Sequence, residues 1–414
     1  MNEGQPIVFE RQWRDPGTSR VPYWIYSDEQ IYRREQERIF NGPHWCYVAL
    51  AAEIPNAGDF KRSWVGERSV IVVRDHDGGI NVVENHCAHR GAQFCQDNFG
   101  NRKDFTCPYH QWNYDLKGNL QGVPFRRGLK GKGGMPKDFK VEEHSLTKLQ
   151  VAVHNGVVFA SFHPEVAPLE EYIGPTILPY FERVFDGREL TILGYSRQRV
   201  PGNWKLMQEN IKDPYHPGLL HTWFVTFGLW RADNQSQLLK DEQHRHAAMV
   251  STRGQGGKGE ATTGVSSFKE SMTLHDERIL DIVQEPWWKG PTAVMQTIFP
   301  SVIIQQQVNS VSTRHIIPRG PGMFDFVWTH FGFADDTPEM TRRRLRQANL
   351  FGPAGFVSAD DGEIIEFSQD GMAQHPDYQT ISELGGREIG NTDHMLSETL
   401  IRGMYEYYRK VMEI

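Results

Sequence analysis

The sequence predicts an α+β chain of two domains, an all-β domain followed by a mixed α+β domain. Three observations predict it. The chain has 414 residues, too many for one core of ordinary size. From about 45 to 162 it reads as short runs of β-formers separated by turn signals. After His163-Pro164, helical stretches alternate with longer strand-like runs.

Residues 1–44 read as a lead-in that packs with the later domain. Ser27 is expected to cap a helix, with Gln30 at N3 as a capping box, and the helix to stop near Asn41-Gly42. Ser69–Arg74 and Ile80–Glu84 flank Asp77-Gly78-Gly79 and read as a hairpin. Asp115–Gly118 is a further turn and Gly156–Phe162 a further strand, so 45–162 forms one all-β domain. In 163–414, Trp204–Leu220 reads mostly as helix. Residues 295–317 and 323–333 read as strands. Thr337 caps a helix with Pro338 at its first position, running to about Leu350. Residues 394–412 form a last helix, Arg253–Gly264 is a Gly-rich mobile loop, and no internal repeat is present.

Composition narrows the function classes. Hydrophobic residues make up 38% and charged residues 23%, a globular balance. The net charge of −7 is spread along the chain, which argues against nucleic acid as a partner. No run of 18 apolar residues exists, so no membrane span is expected. The N-terminal run MNEGQPIVFERQWRD lacks an apolar core, so a cytoplasmic protein without a leader is expected. The four cysteines are Cys46, Cys87, Cys95 and Cys107. Few cysteines with histidines close by suggest metal before disulfides.

Two segments, ENHCAHRGAQF and FTCPYHQW, each supply one cysteine and one histidine: Cys87 with His89, and Cys107 with His110. Both follow strand-like sequence, so two loop tips can face each other. A binuclear iron–sulfur cluster needs two ligands per iron, and mixed thiolate and imidazole ligation raises its potential. Zinc fingers pair like ligands, whereas each loop here mixes them. A Cys2His2 zinc site nevertheless remains the alternative on spacing alone. Cys46 and Cys95 lie outside the pattern and read as buried apolar residues.

A second group lies in NWKLMQENIKDPYHPGLLHTWF. Asp213 and His216 are three apart and would share a helix face. His216 and His221 are five apart and would not, but Pro217-Gly218 between them should distort the helix and bring both rings to one metal. A carboxylate would complete a facial triad of the non-haem Fe(II) type. The candidates are Asp360 and Asp361, which could equally be first-turn acids behind an N-cap at Ser358. Spacing does not choose between them.

Together the two groups resemble the large subunits of the Rieske non-haem iron aromatic-ring-hydroxylating oxygenases. CAHRGA and CPYHQW are similar to the family's cluster loops. ENIKDPYHPGLLH is similar to its iron motif, and FGPAGFVSADDGE to the segment giving the carboxylate. The resemblance spans nearly the whole chain and implies a Rieske domain joined to an α+β catalytic domain, an antiparallel sheet flanked by helices. It implies a [2Fe–2S] cluster on Cys87, His89, Cys107 and His110, and a mononuclear Fe(II) on His216, His221 and Asp361. Asp213 matches the acid that bridges the two metal sites between neighbouring subunits.

Between Asn210 and Asp213 there are two residues where naphthalene-type members have three, which resembles the branch acting on aromatic carboxylates. The reaction implied is salicylate to gentisate with one atom of O2. The alternative is a dioxygenase for anthranilate, terephthalate or 1-hydroxy-2-naphthoate. Gln307, Arg314 and Arg402 are the candidates to hold the carboxylate, Gln307 being the better choice for a salicylate-type pocket and the alternative being structural arginines, while Asn210 and Phe351 would line the pocket. No segment is read as a flavin or nicotinamide fingerprint. A separate NAD(P)H-dependent reductase, a ferredoxin, or both are therefore implied, together with a small β subunit in an α3β3 assembly. The rival classes are an electron carrier with the cluster alone and a zinc-stabilised binding module.

Overall fold

The computed structural model describes residues 11–14, 16–265 and 268–414, so the polar run over 1–10 lies outside the described residues. The chain divides into two compact units, Phe40–Leu169, and the residues up to Ile39 together with Glu170–Ile414. The first unit therefore starts before residue 45 and ends after 162. Trp45 Nε1 donates to the Ala167 carbonyl at 2.8 Å, which ties the segment after His163 to the β unit.

In that unit, β1 (Cys46–Leu50), β2 (Asp59–Val65), β3 (Arg68–Arg74), β4 (Ile80–Glu84) and β5 (Phe99–Asn101) precede the short β6 (Phe105–Thr106), β7 (Asn113–Tyr114) and β8 (Leu120–Gly122). β9 (Gln150–His154) and β10 (Val157–Ser161) close it. The strands form sheets ordered β1-β10-β9, β4-β3-β2-β5 and β6-β7-β8. The β-branched run SVIVVR makes β3 the buried centre of its sheet, antiparallel to β4 across the expected hairpin. Asp115 builds the expected turn, its carboxylate accepting from the N–H groups of Lys117 and Asn119.

The second unit carries α1 (Glu29–Glu35), most of α2 (Leu169–Ile173), α3 (Leu178–Val184), α4 (Trp204–Lys212), α5 (Pro217–Leu220), α6 (Thr222–Thr226), α7 (Lys258–Ala261), α8 (Pro338–Phe351), α9 (Phe356–Gln374) and α10 (Thr399–Met412). Its seven strands are β11 (Leu190–Val200), β12 (Gln235–Lys240), β13 (Ala247–Thr252), β14 (Ala293–Ile298), β15 (Val302–Gln307), β16 (Ser310–Pro318) and β17 (Phe324–Phe333). They form one antiparallel sheet in the order β11-β17-β16-β15-β14-β13-β12. Among the described residues no helix is long and apolar enough to cross a membrane.

Several local expectations are corrected. Asp28, not Ser27, caps α1, because its carboxylate accepts from Gln30 and Ile31, whereas Ser27 ends a preceding 3-10 turn. Thr337 does cap α8, accepting from Met340 N–H, with Pro338 inside the first turn. The helix from Trp204 stops at Lys212, well before Leu220. Asp213 is extended (φ −101°, ψ 99°), the conformation forced on a residue preceding proline, here Pro214. Gly355, not Ser358, precedes α9, so Asp360 and Asp361 sit a full turn inside the helix. The last helix begins at Thr399 rather than 394, and the Gly-rich 253–264 run contains α7.

That run also corrects the sequence reading in another way. Gly254, Gly256 and Gly259 carry the spacing of a dinucleotide fingerprint. They lead from antiparallel β13 into a helix of one turn, and the Gly256 N–H is already taken by Asp233 at 2.8 Å. No βαβ unit is there to hold a pyrophosphate.

Candidate metal centres

In the β unit, Cys87 and His89 follow β4, and Cys107 and His110 follow β6. Each loop is a tight turn. Gly91 N–H donates to the Cys87 carbonyl and Gln111 N–H to that of Cys107. The first turn needs the positive φ of Gly91 (74°), and a side chain there would meet the His86 ring. Both thiols are buried, and the imidazoles of His89 and His110 meet edge-on at 4.4 Å between centroids. Tyr114 OH lies 3.3 Å from Cys87 Sγ, and His89 stacks on Trp112 at 4.8 Å. Burial, then the nearby Cys87 sulfur, push the Cys107 thiol up, although backbone N–H groups of Tyr109 and His110 oppose this. Those N–H groups would stabilise a thiolate bound to metal.

The donor set fits a binuclear cluster better than one zinc ion. Four ligands of one tetrahedral ion converge on a point. Among the described residues, the three or more metal-binding side chains drawn within 4.8 Å of one another are His216, His221 and Asp361. The cysteines and histidines stand instead as a thiol pair and an imidazole pair, which would suit two irons with two ligands each. His89 Nδ1 is buried with no protein partner, a donor left for a ligand.

In the second unit, α4 is anchored before it delivers anything. Asn203 caps it, and Glu35 accepts from Trp204 Nε1 (2.7 Å), Lys205 Nζ (2.5 Å) and Tyr408 OH (2.6 Å). The break at Asp213-Pro214 then turns the chain. His216 precedes α5, whose first residue is Pro217, and His221 joins α5 to α6. Thus Asp213 and His216 do not share a helix face. Pro217 starts a helix rather than distorting one. Gly218 serves another purpose, since a Cβ there would lie 2.7 Å from the Trp230 indole.

α9 supplies the carboxylate. Asp361 Oδ1 lies 3.5 Å from His216 Nε2 and 3.3 Å from His221 Nε2. Ligands about 2.1 Å from one ion and at right angles are about 3 Å apart, so Asp361 Oδ1 stands near ligand spacing from both rings, and the three side chains offer donor atoms within 4.8 Å of one another. Asn210 Nδ2 donates to Asp361 Oδ1 at 3.1 Å. The next residue must be small, because a Cβ on Gly362 would lie 2.3 Å from Gln198 Nε2.

Each imidazole has a carboxylate on its far nitrogen. His221 Nδ1 is 3.1 Å from Asp360 Oδ2, and His216 Nδ1 is 3.5 Å from Asp213 Oδ2, an ion-pair contact longer than a good hydrogen bond. With a metal bound, these carboxylates would favour the ring protons on Nδ1 and leave both Nε2 atoms to the metal. Burial opposes charging of His216, but Asp213 and Asp361 outweigh it and raise its pKa to about 9. Burial also opposes ionisation of Asp361, yet both histidines hold it well below the ordinary carboxylate range. Asp360 was missed as a ring-orienting group; the adjacent acid pair at 360–361 was the available signal.

The sheet faces this site with polar residues. β15 and β16 are buried along their whole lengths, where apolar residues would be usual. Direct pairing puts Gln305 opposite Ser312, Gln307 opposite Ser310, and Arg314 opposite both Ile303 and Trp328, on one face. Further along that face, Gln198 of β11 bonds Ser358 of α9, so the face looks toward Asp361. The Arg314 guanidinium carbon lies over Trp328, 3.9 Å from the ring centroid, and its Nε is buried without a partner. Burial lowers its pKa to about 9, with Asp361 opposing that shift. His330 nearby is pushed down to about 4 by burial and by Arg314.

Gln307 borders a cavity of about 100 Å³ with Pro214, Pro217, Phe224, Trp230, Met249 and Met295. Its carbonyl is taken by Gln305 at 2.5 Å, leaving its amide N–H groups to offer. Two expectations fare differently. Arg402 is fully buried and donates to the carbonyls of Ser382, Leu384 and Glu388, so its guanidinium braces residues 382–388 and does not face the iron ligands. Phe351 packs edge-on behind Phe224 in an aromatic core at 6.1 Å, outside the residues bordering that cavity.

Known proteins resemble both units. Residues 44–132 match the Rieske [2Fe-2S] domain family, and residues 185–414 match the ring hydroxylating alpha subunit (catalytic domain) family. The salicylate 5-hydroxylase large oxygenase component of Ralstonia sp. is 72% identical over 97% of this chain and 96% of that protein. The anthranilate 1,2-dioxygenase large subunit of Burkholderia cepacia is 44% identical over 95% and 93%. In structure, naphthalene 1,2-dioxygenase from Rhodococcus sp. shares the fold with a TM-score of 0.79 at 23% identity, over 95% of this chain and 94% of the other.

Proposed function

The chain belongs to the Rieske-type ring-hydroxylating oxygenases as a large, alpha subunit, and on that premise we propose that it hydroxylates a small aromatic carboxylate, converting salicylate to gentisate. Such a chain carries a [2Fe–2S] cluster and a mononuclear non-haem iron. Cys87, His89, Cys107 and His110 would hold the first, and His216, His221 and Asp361 the second. When bound, the iron would supply open positions for dioxygen and the cluster would supply electrons one at a time. The balance is one aromatic acid, one O2, two electrons and two protons giving one phenol and one water.

The protein's own groups do the rest. Asp213 and Asp360 fix the two imidazoles, and Asn210 fixes the Asp361 oxygen. Arg314 carries the substrate reading: a buried guanidinium with an unpartnered Nε is costly unless an anion reaches it. Gln307 adds amide N–H donors at the cavity wall. Asp213, about a quarter exposed where α4 ends, would bridge His216 of its own chain to His110 of the partner subunit in a trimer of α subunits. A small β subunit and a separate reductase or ferredoxin complete the system, which would operate in the cytoplasm.

Arg314→Ala tests the substrate class. Losing a hydrogen-bonded charge partner costs about 1.5–3 kcal/mol. The KM for salicylate should therefore rise roughly 10- to 150-fold with kcat largely kept. Preference for salicylate over phenol should shrink by the same factor. An unchanged preference would remove the carboxylate from the proposed substrate.

A further inference from the structure

We infer that a basic hairpin beside the cluster core, residues 125–137, is the docking surface for an acidic electron-carrier protein. The inference rests on the reading that the cluster takes electrons from a separate protein. Within a chain of net charge −7, this segment carries Arg126, Arg127, Lys130, Lys132 and Lys137 and no acid. All five cations are exposed, and the segment's apolar centre is exposed too, Phe125 at 68% and Leu129 at 60%. Apolar residues ringed by charge are the anatomy of a transient protein interface.

The hairpin is shaped rather than loose. Leu129 and Lys132 exchange both backbone hydrogen bonds. Gly128 and Gly134 cross so closely that a Cβ on Gly134 would lie 2.7 Å from the Gly128 nitrogen, and both have positive φ. The cations are thus held on a fixed support.

Its placement selects an electron carrier among anionic partners. Val123, Met135 and Phe139 pack against the core that contains Cys87, Cys107 and Trp112. Arg126 donates to the Phe139 carbonyl at 3.1 Å and lies over its ring. Phe139 meets Trp112 at 6.1 Å, and Trp112 stacks on His89 at 4.8 Å. A packed aromatic path therefore runs from the basic surface to a cluster ligand. Entry would be through His89, leaving His110 for exit. Each encounter moves one electron: the carrier is oxidised by one, the diferric cluster becomes Fe(II)Fe(III), and no bond forms or breaks.

The test compares wild-type holoenzyme with the combined variant Arg126→Glu, Arg127→Glu, Lys130→Glu, Lys132→Glu. The probe is an acidic plant-type [2Fe–2S] ferredoxin, with affinity measured by calorimetry and cluster reduction by stopped flow. Steered association raises on-rates by about 10- to 1,000-fold and weakens with salt. Reversal should therefore lower both affinity and second-order rate at least about tenfold at low salt and remove the salt dependence. The neutral pair Lys130→Gln, Lys132→Gln should fall between. Reduction by dithionite and the oligomeric state should stay as in the wild type. An unchanged ferredoxin rate would overturn the inference. So would a changed oligomeric state, which assigns the hairpin to a contact between copies, or tighter binding of an oligonucleotide than of ferredoxin. A wild-type protein without a dithionite-reducible Rieske signal would instead overturn the cluster assignment beneath it.

Discussion

Asp361→Ala should leave a protein with two irons per chain in place of three. Asp361 is the shared member of the mononuclear group, its Oδ1 lying within 3.5 Å of both imidazole Nε2 atoms. Without it two histidines remain, too few to close one face of a non-haem iron. Loss of an outer carboxylate partner typically costs 10- to 100-fold in metal affinity or activity, so loss of the ligand should cost more than about 100-fold in turnover. Asp360→Ala gives the internal comparison. It removes only the partner of His221 Nδ1, and its loss should stay within about 10- to 100-fold. The cluster lies in the other unit, so its absorbance and paramagnetic signal should survive both changes. Iron analysis beside that signal checks the pair. Three irons retained in Asp361→Ala would move the ligand to Asp360.

Asp213→Asn should keep all three irons and still stop the reaction. Asparagine's carbonyl can accept the Tyr215 N–H as Asp213 Oδ1 does at 2.8 Å, so the turn at Asp213-Pro214 is kept. What disappears is the negative charge facing His216 Nδ1, and with it the proposed link to His110 of the partner subunit. Turnover should fall to about 1% or less, at the far end of the range for an outer-shell carboxylate. Reduction of the cluster by dithionite should be unaffected. A single-turnover experiment with pre-reduced protein separates the readings: electrons should remain on the cluster. Ordinary product formation in this variant would contradict the bridge.

Local signals were legible where one residue decides the geometry. Thr337-Pro338 marked the start of α8, and Asp77-Gly78-Gly79 marked the β3–β4 hairpin. They failed where neighbours compete for the same job. Ser27 and Asp28 can both cap, and the stronger carboxylate acceptor takes the N–H groups. Pro214 and Pro217 can both interrupt a helix. The first does so through its predecessor, while the second falls at a permitted N-terminal position. The paired Cys-His loops stood out by their spacing, whereas the choice of Asp361 over Asp360 came from the resemblance alone, and the structure brings His216, His221 and Asp361 within 4.8 Å of one another. Substrate contacts were not readable in that way. Arg314 and Arg402 are both buried arginines, and only their surroundings distinguish an unpartnered Nε on Trp328 from a guanidinium saturated by carbonyls. Exposure also hid the basic hairpin, because a net charge summed over the chain conceals five cations gathered on one support.

The most direct measurement is turnover of salicylate under 18O2 by the reconstituted system of holoenzyme, β subunit, reductase and any ferredoxin it needs, with the product identified by mass spectrometry. The expected result is gentisate carrying one labelled oxygen and one labelled water per turnover. Catechol, a product with two labelled oxygens, or turnover of another aromatic acid with salicylate untouched would contradict it.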